Sequence, residues 1–94
     1  MATQLRRYEI AEGELDRFIE WFPKILPVRE KYGFTVNFAY ADRDTNQFVW
    51  SVSHPGDFKG AEATYGESPE RTAVFEGFDN PVKALHVSMI DEVV

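Results

Sequence analysis

The chain has 94 residues, no cysteine and a formal net charge of −6 at neutral pH. This length is typical of one domain, and the lack of cysteine excludes disulfides, thiolate zinc sites and cysteine nucleophiles. The ten lysines and arginines never form a basic stripe in this acidic chain, which argues against binding to a nucleic-acid backbone.

The N-terminus runs directly into a predicted strand. Gln4–Ile10 contains neither Gly nor Pro and alternates in polarity as strands do. No apolar signal-peptide core precedes it, and no run in the chain approaches the roughly 20 residues that span a bilayer. Together with the absence of cysteine, this predicts a cytoplasmic protein that does not enter a membrane.

An amphipathic helix is predicted after the turn at Gly13. Pro23 and Pro27 each remove a backbone donor, so we expect one bent element. Gly33 is suited to the position just after the helix, where positive φ is common. The apolar residues recur at spacings of three and four: Leu15, Phe18, Ile19, Phe22, Ile25 and Leu26.

A β-hairpin is predicted next. Phe34–Ala41 and Gln47–His54 are rich in aromatic and β-branched residues, and turn-forming residues separate them. The predicted register places three pairs on one face of the hairpin: Tyr40 with Phe48, Phe38 with Trp50, and Val36 with Val52.

The last third of the chain predicts short helices and a final strand. Asp57 is a candidate N-cap for a helix that reaches about Tyr65, and Ser68 starts a further turn near residues 71–73. We expect a loop over residues 75–81. Lys83–Val93 predicts a strand, with Leu85, Val87 and Met89 on one side and His86, Ser88 and Ile90 on the other.

This order of elements predicts a single α+β domain over residues 1–94. The ferredoxin-like βαββαβ topology gives a four-stranded antiparallel sheet with both helices on one face. In the predicted register the hairpin aromatics lie on the uncovered face, where at about 25 cal/mol per Å² they would forfeit several kcal/mol in water. We therefore expect a homodimer that buries them, which Trp50→Glu should weaken.

Several segments resemble the NIPSNAP family over nearly the whole chain. The resemblance is carried by Leu5–Ile10 with Glu12-Gly13, by Leu26–Phe34, by Phe48-Val49-Trp50 with Pro55–Phe58, and by Ser68–Arg71. It implies a dimeric α/β barrel, in a superfamily that also holds cofactor-free antibiotic-biosynthesis monooxygenases, haem-degrading monooxygenases, isomerases and cyclases. Phe38 and Tyr40 stand where the family has Gly and then Trp, so we expect a cavity of different shape.

Arg6 and Tyr8 are the first candidate catalytic pair. They alternate onto one face of the first strand, where a guanidinium and a phenol could hold a carboxylate or enolate and stabilise an oxyanion. Alternatively, Arg6 pairs with a nearby acid and Tyr8 belongs to the core. If the faces are inverted, Arg7 and Glu9 take the role.

The only two imidazoles are also candidates. His86 could move a proton as a catalytic base, and His54 could contribute to ligand binding. The alternative is that both are hydrogen-bonded strand residues without a catalytic role.

Phe38, Tyr40 and Trp50 form a predicted aromatic wall. It could hold a planar hydrophobic ligand, or it could serve only to bury the dimer interface. The sequence has no metal-binding spacing, Gly-rich phosphate loop or nucleophile motif, so we expect no metal and no cofactor.

Two functions remain open from the sequence. One is a cofactor-free monooxygenase, isomerase or cyclase that acts on a hydrophobic or aromatic small molecule. The other is a non-catalytic binding or assembly module whose barrel interior is packed shut.

Overall fold

A computed structural model describes all residues, 1–94. Its strands are β1 (Ala2–Ile10), β2 (Thr35–Asp42), β3 (Gln47–His54) and β4 (Val82–Ile90). The helices are α1 (Leu15–Trp21), a 3₁₀ turn (Phe22–Ile25), α2 (Leu26–Lys31), α3 (Phe58–Gly66) and α4 (Pro69–Phe75).

The strands form one antiparallel sheet in the order β2-β3-β1-β4, and the helices pack on one side of it. This confirms the predicted ferredoxin-like fold. We call the side that carries the helices the helix face and the other side the open face. None of the helices is long and apolar enough to cross a bilayer.

The first helical element is bent as its prolines predict. Pro23 lies in the 3₁₀ turn and Pro27 in the first turn of α2, where a missing N–H costs least. The predicted apolar stripe points into the core, with Phe18 and Phe22 only 2% and 4% exposed. The Trp21 Nε1 donates to the Val74 carbonyl at 3.2 Å and joins this element to α4.

The boundaries of the later elements differ slightly from the predicted ones. The Ser68 hydroxyl accepts a hydrogen bond from the Arg71 backbone N–H at 3.1 Å, which confirms it as the cap of α4. Asp57 precedes α3 but makes no side-chain cap bond. Helix α4 continues to Phe75, and β4 ends at Ile90, three residues before its predicted end.

A β-bulge changes the register of the hairpin. Val36 pairs with Val52 as predicted, but Asn37 is an extra residue, and from there Phe38 pairs with Ser51 and Tyr40 with Val49. The predicted Phe38–Trp50 and Tyr40–Phe48 pairs are therefore wrong. Since strand side chains alternate, one inserted residue moves Phe38 and Tyr40 to the open face.

The helices cover most of the aromatic layer that we expected a second copy to bury. Phe34, Phe48, Trp50 and Val52 lie on the helix face and are at most 3% exposed. Of the hairpin aromatics, only Phe38 and Tyr40 remain on the open face. A second copy is therefore not needed to bury these four residues, contrary to what the sequence predicts.

A charged cluster joins the end of α2 to the start of α4. The Lys31 ammonium pairs with the Glu70 carboxylate, and the Tyr32 hydroxyl donates to the Glu70 Oε1 at 2.6 Å. These two bonds, that of Lys31 first, lower the pKa of Glu70 from its ordinary 4.5 to about 2. The cluster links the two helical segments at the protein surface.

The lowered pKa of Glu70 predicts a specific loss of stability in acid. A carboxyl with a depressed folded-state pKa contributes stability that is complete above the unfolded pKa and is lost as the pH falls through the folded pKa. Between pH 4.5 and 2 the wild type should therefore lose stability more steeply than Glu70→Gln. Urea denaturation across this range checks the prediction. Glu67→Gln, which removes an exposed and unpaired charge, is the matched control, and equal slopes for Glu70→Gln and the wild type would contradict it.

Candidate functional site

The fold brings Arg6 and Tyr8 together on the helix face. The Arg6 Nε donates to the Tyr8 hydroxyl at 2.7 Å, and the Arg6 Nη1 donates to the Gln4 Oε1 at 2.7 Å. The three side chains are at positions 4, 6 and 8 because alternate residues of a strand share a face. The two side chains thus share one face, and Tyr8, which is 8% exposed, is also part of the hydrophobic core. The catalytic role of the pair stays a prediction.

Strand β4 presents an exposed apolar row beside this pair. Leu85, Val87 and Met89 are 59%, 43% and 55% exposed, and they lie directly opposite Tyr8, Arg6 and Gln4. No helix covers this part of the sheet. We call the six residues Gln4, Arg6, Tyr8, Leu85, Val87 and Met89 the β4 trough: a polar strip on β1 with an aliphatic strip on β4.

Helices α3 and α4 bound the trough on its inner side. At one end, a small cavity of about 80 Å³ lies between Arg6, Tyr8 and Leu85 of the sheet and Arg71 and Phe75 of α4. At the other end, an open recess of about 510 Å³ lies between the sheet and α3, with Gln4, Met89, Phe58, Lys59, Glu62 and Ala63 in its walls. The first volume is too small for a drug-sized ligand, whereas the second lies in the range of about 300–1,000 Å³ usual for ligand sites.

An ion pair between a buried arginine and a half-buried glutamate lies beside the trough. Arg29 is 2% exposed and donates from both terminal nitrogens to the Glu62 carboxylate, at 2.6 and 3.2 Å. Its guanidinium lies 3.9 Å from the centre of the Tyr65 ring and 5.2 Å from that of Trp50. Burial raises the pKa of the Tyr65 hydroxyl, so this phenol is neutral at physiological pH.

Sequence analysis did not predict this pair. The two residues are 33 positions apart and meet only when α3 folds over the sheet.

Arg71 is a second residue that sequence analysis did not single out. Its guanidinium lies 4.3 Å from the centre of the Phe75 ring and forms no ion pair or hydrogen bond. It lines the 80 Å³ cavity together with Arg6 and Tyr8. The Glu62 carboxylate pairs with Arg29 and lies 3.8 Å from the Arg6 guanidinium, so one carboxylate faces two arginines. With Arg71 added, this part of the trough carries more positive than negative charge.

His86 does not join the Arg6–Tyr8 pair. It projects from the open face, and its Nε2 lies 2.7 Å from the Glu9 Oε2 on the same face. The predicted set of Arg6, Tyr8 and His86 is therefore not assembled within one chain, because alternation along β4 sends His86 to the side opposite Leu85 and Val87.

His54 lies on the helix face, on the same side of β3 as Trp50 and Val52. Its Nδ1 accepts a hydrogen bond from the Gly56 N–H at 3.0 Å, and its Nε2 lies 3.2 Å from the Tyr32 carbonyl. With both ring nitrogens occupied by backbone groups, His54 holds the chain at the end of β3, and it lines none of the cavities.

The three residues of the predicted aromatic wall are not brought together. Trp50 is 1% exposed within the core, whereas Tyr40 and Phe38 lie on the open face with their ring centres 5.5 Å apart. Phe38 also borders an apolar groove of about 640 Å³ between β2 and the bent helix. This groove offers few polar groups to orient a ligand; its walls are Ile19, Phe22, Pro23, Leu26, Glu30, Phe34, Thr35, Val36, Phe38, Ala39 and Phe48.

Solved structures with the same architecture cover nearly the whole chain. A NIPSNAP domain protein from Burkholderia xenovorans superposes with a TM-score of 0.81 at 13% identity, over 99% of this chain and 95% of that one. A NIPSNAP family protein with unknown function from Agrobacterium tumefaciens gives 0.83 at 9% identity, over 96% and 86%. The chain has the NIPSNAP fold.

The same fold also occurs in proteins outside the NIPSNAP family. An antibiotic biosynthesis monooxygenase superposes on this chain with a TM-score of 0.72 at 12% identity, over 100% of both chains. Identities this low establish the common fold alone. No family model matches the sequence, and no curated protein matches it.

Proposed function

We propose that the chain is a homodimeric NIPSNAP-type protein that binds a small, largely apolar molecule in the β4 trough. The observation that carries the proposal is the exposed row of Leu85, Val87 and Met89 beside the hydrogen-bonded Arg6–Tyr8 pair. An aliphatic surface next to a few fixed polar groups is the usual composition of a small-molecule site. The absence of cysteine supports a site of action in the cytoplasm.

The open face supports the homodimer. It carries exposed or half-buried apolar side chains that no part of the chain covers: Leu5, Phe38, Tyr40, Val49 and Ile90. The polar groups at its centre already pair with one another, since the Ser53 hydroxyl is 2.8 Å from both the Thr3 hydroxyl and the Asn37 Nδ2. Polar groups with internal partners can be buried without the cost of an unmade hydrogen bond.

Binding of decan-1-ol, a neutral apolar probe, tests the trough. Wild-type protein should bind it in a calorimetric titration, and Leu85→Asn should weaken binding about tenfold or more, because a buried Leu contributes about 1.5–3 kcal/mol. Val93→Asn is the matched control, since Val93 is 91% exposed outside β4. Binding that Leu85→Asn leaves unchanged would place the ligand elsewhere and overturn the proposal.

A closed, non-catalytic assembly module is the second candidate. The 80 Å³ cavity beside Arg6 and Tyr8 favours it, as does the fact that these two groups satisfy each other. The same titration separates the two: a stable dimer that binds no decan-1-ol would favour the closed module.

A further inference from the structure

The end of the β4 trough beside α4 contains an unpaired cation. Among the residues around the 80 Å³ cavity, Arg6 donates to Tyr8 and Gln4, but the Arg71 guanidinium has no acceptor. The five donors of an arginine match a carboxylate in geometry, and such charge-assisted bonds are about twice as strong as neutral ones. A free guanidinium at the end of an apolar row is therefore placed to hold an anionic head group.

The size of the cavity limits what this head group can be. A space of about 80 Å³ holds a carboxylate and its adjacent carbons but is too small for a polycyclic or large phosphorylated group. Beyond it, the row from Leu85 to Met89 extends for about 13 Å at the strand rise of roughly 3.3 Å per residue. An unbranched or narrow apolar body can lie along this row once its head group is inside.

We infer that the trough binds monocarboxylic acids with an elongated apolar body, and that Arg71 is the residue that recognises the carboxylate. The inference rests on the proposed function, since it names the ligand class for the same site. Phe75, whose ring lies 4.3 Å from the Arg71 guanidinium, holds that side chain against α4. The Tyr8 hydroxyl, which already accepts from the Arg6 Nε, can donate its own proton to the second carboxylate oxygen. Binding of the ligand makes and breaks no covalent bond.

Decanoate and decan-1-ol separate the role of charge from that of the apolar body, because the two probes share a ten-carbon chain. In calorimetric titrations at neutral pH, wild-type protein should bind decanoate about tenfold more tightly than decan-1-ol. Arg71→Gln should reduce decanoate binding to about the level of the alcohol and should affect alcohol binding much less. Arg43→Gln, which removes a guanidinium paired with Asp16 on the surface, should alter neither affinity.

Two further measurements test whether the charge of Arg71 causes the preference for decanoate. Added salt should weaken decanoate binding but not alcohol binding, because salt screens charge. Arg71→Lys keeps the charge without the planar fork and should retain part of the preference, which covers the case in which Arg71→Gln does not fold. A preference for decanoate that persists in Arg71→Gln, or equal affinities of the wild type for both probes, would overturn the inference while leaving the trough as a site. Absence of alcohol binding would instead count against the proposed function itself.

Discussion

Replacement of Trp50 by alanine should lower the free energy of unfolding by about 3–5 kcal/mol, as for other buried tryptophans. The side chain is 1% exposed, and its ring packs 5.1 Å from Phe22 and 6.4 Å from Tyr8, centre to centre. The guanidinium carbons of Arg6 and Arg29 lie 5.4 and 5.2 Å from it. A domain of this size commonly has only about 5–15 kcal/mol of stability in total, so the variant should be close to unfolding.

Urea denaturation followed by far-ultraviolet circular dichroism measures this effect. The titrations should be made at several protein concentrations, because association contributes to the stability of a dimer. Trp50→Phe is the matched variant and should cost clearly less: it keeps an aromatic ring and removes the Nε1–H, which has no acceptor in the core. If Trp50→Ala kept its stability and only dissociated the dimer, the residue would lie in an interface, as the sequence had suggested.

The local patterns in the sequence were sufficient to predict the fold. Periodic apolar residues identified the bent helix, and the breakers Pro23, Pro27 and Gly33 correctly placed its bends and its end. The predicted bounds of β3 agree with the structure. Each of these features depends on residues within about one helical turn or a few strand positions of each other, where sequence and conformation are directly linked.

It was harder to predict which side chains lie on which face of the sheet, because one bulged residue sets the register of β2. Asn37 is the bulged residue, and its Nδ2 donates to the Ser51 and Ser53 hydroxyls at 3.2 and 2.8 Å. The signal in the sequence is an asparagine, a poor strand former, inside a run of strong ones. A register error of one residue assigns every later side chain of the strand to the opposite face of the sheet. This is why Phe38 and Tyr40 were assigned to the wrong face.

The site could be predicted only in part, because it is formed by contacts between residues that are distant in sequence. Arg6 and Tyr8 were found because they share one strand, whereas Arg29, Glu62 and Arg71 come together only through the packing of three helices on the sheet. The exposed row of β4 was visible as alternation in the sequence. That the helices leave it uncovered was not, since coverage depends on where α3 and α4 cross the sheet.

The side chains that would form the proposed dimer interface are fewer than the sequence predicts, and they are different ones. Tyr40 is 67% exposed and Ile90 36%, and both lie on the open face with Leu5 and Val49. The same face also carries charged and polar side chains of β1, β3 and β4. The proposed second copy, which by symmetry presents the same face, would cover the apolar ones.

Replacement of Leu5 by glutamate should therefore dissociate the dimer. Leu5 lies at the middle of the open face, opposite Ser51 on β3 and Ser88 on β4, with no acid or base as its direct partner. In a symmetric interface the substitution occurs twice, so two carboxylates would be buried without partners at a cost of several kcal/mol. We expect the dissociation constant to rise about 100-fold or more, since each tenfold change corresponds to about 1.4 kcal/mol.

Sedimentation equilibrium measures this change directly. Wild-type protein at micromolar concentration should have a mass near twice 10.8 kDa, while Leu5→Glu should approach the mass of one chain. Ala73→Glu, which adds the same charge at an exposed position on α4, should stay dimeric. Circular dichroism should show that Leu5→Glu keeps its secondary structure, because the substitution leaves the helix-face core untouched. A wild type that sediments as a folded single chain would mean that the open face meets water, and that its apolar residues serve another partner.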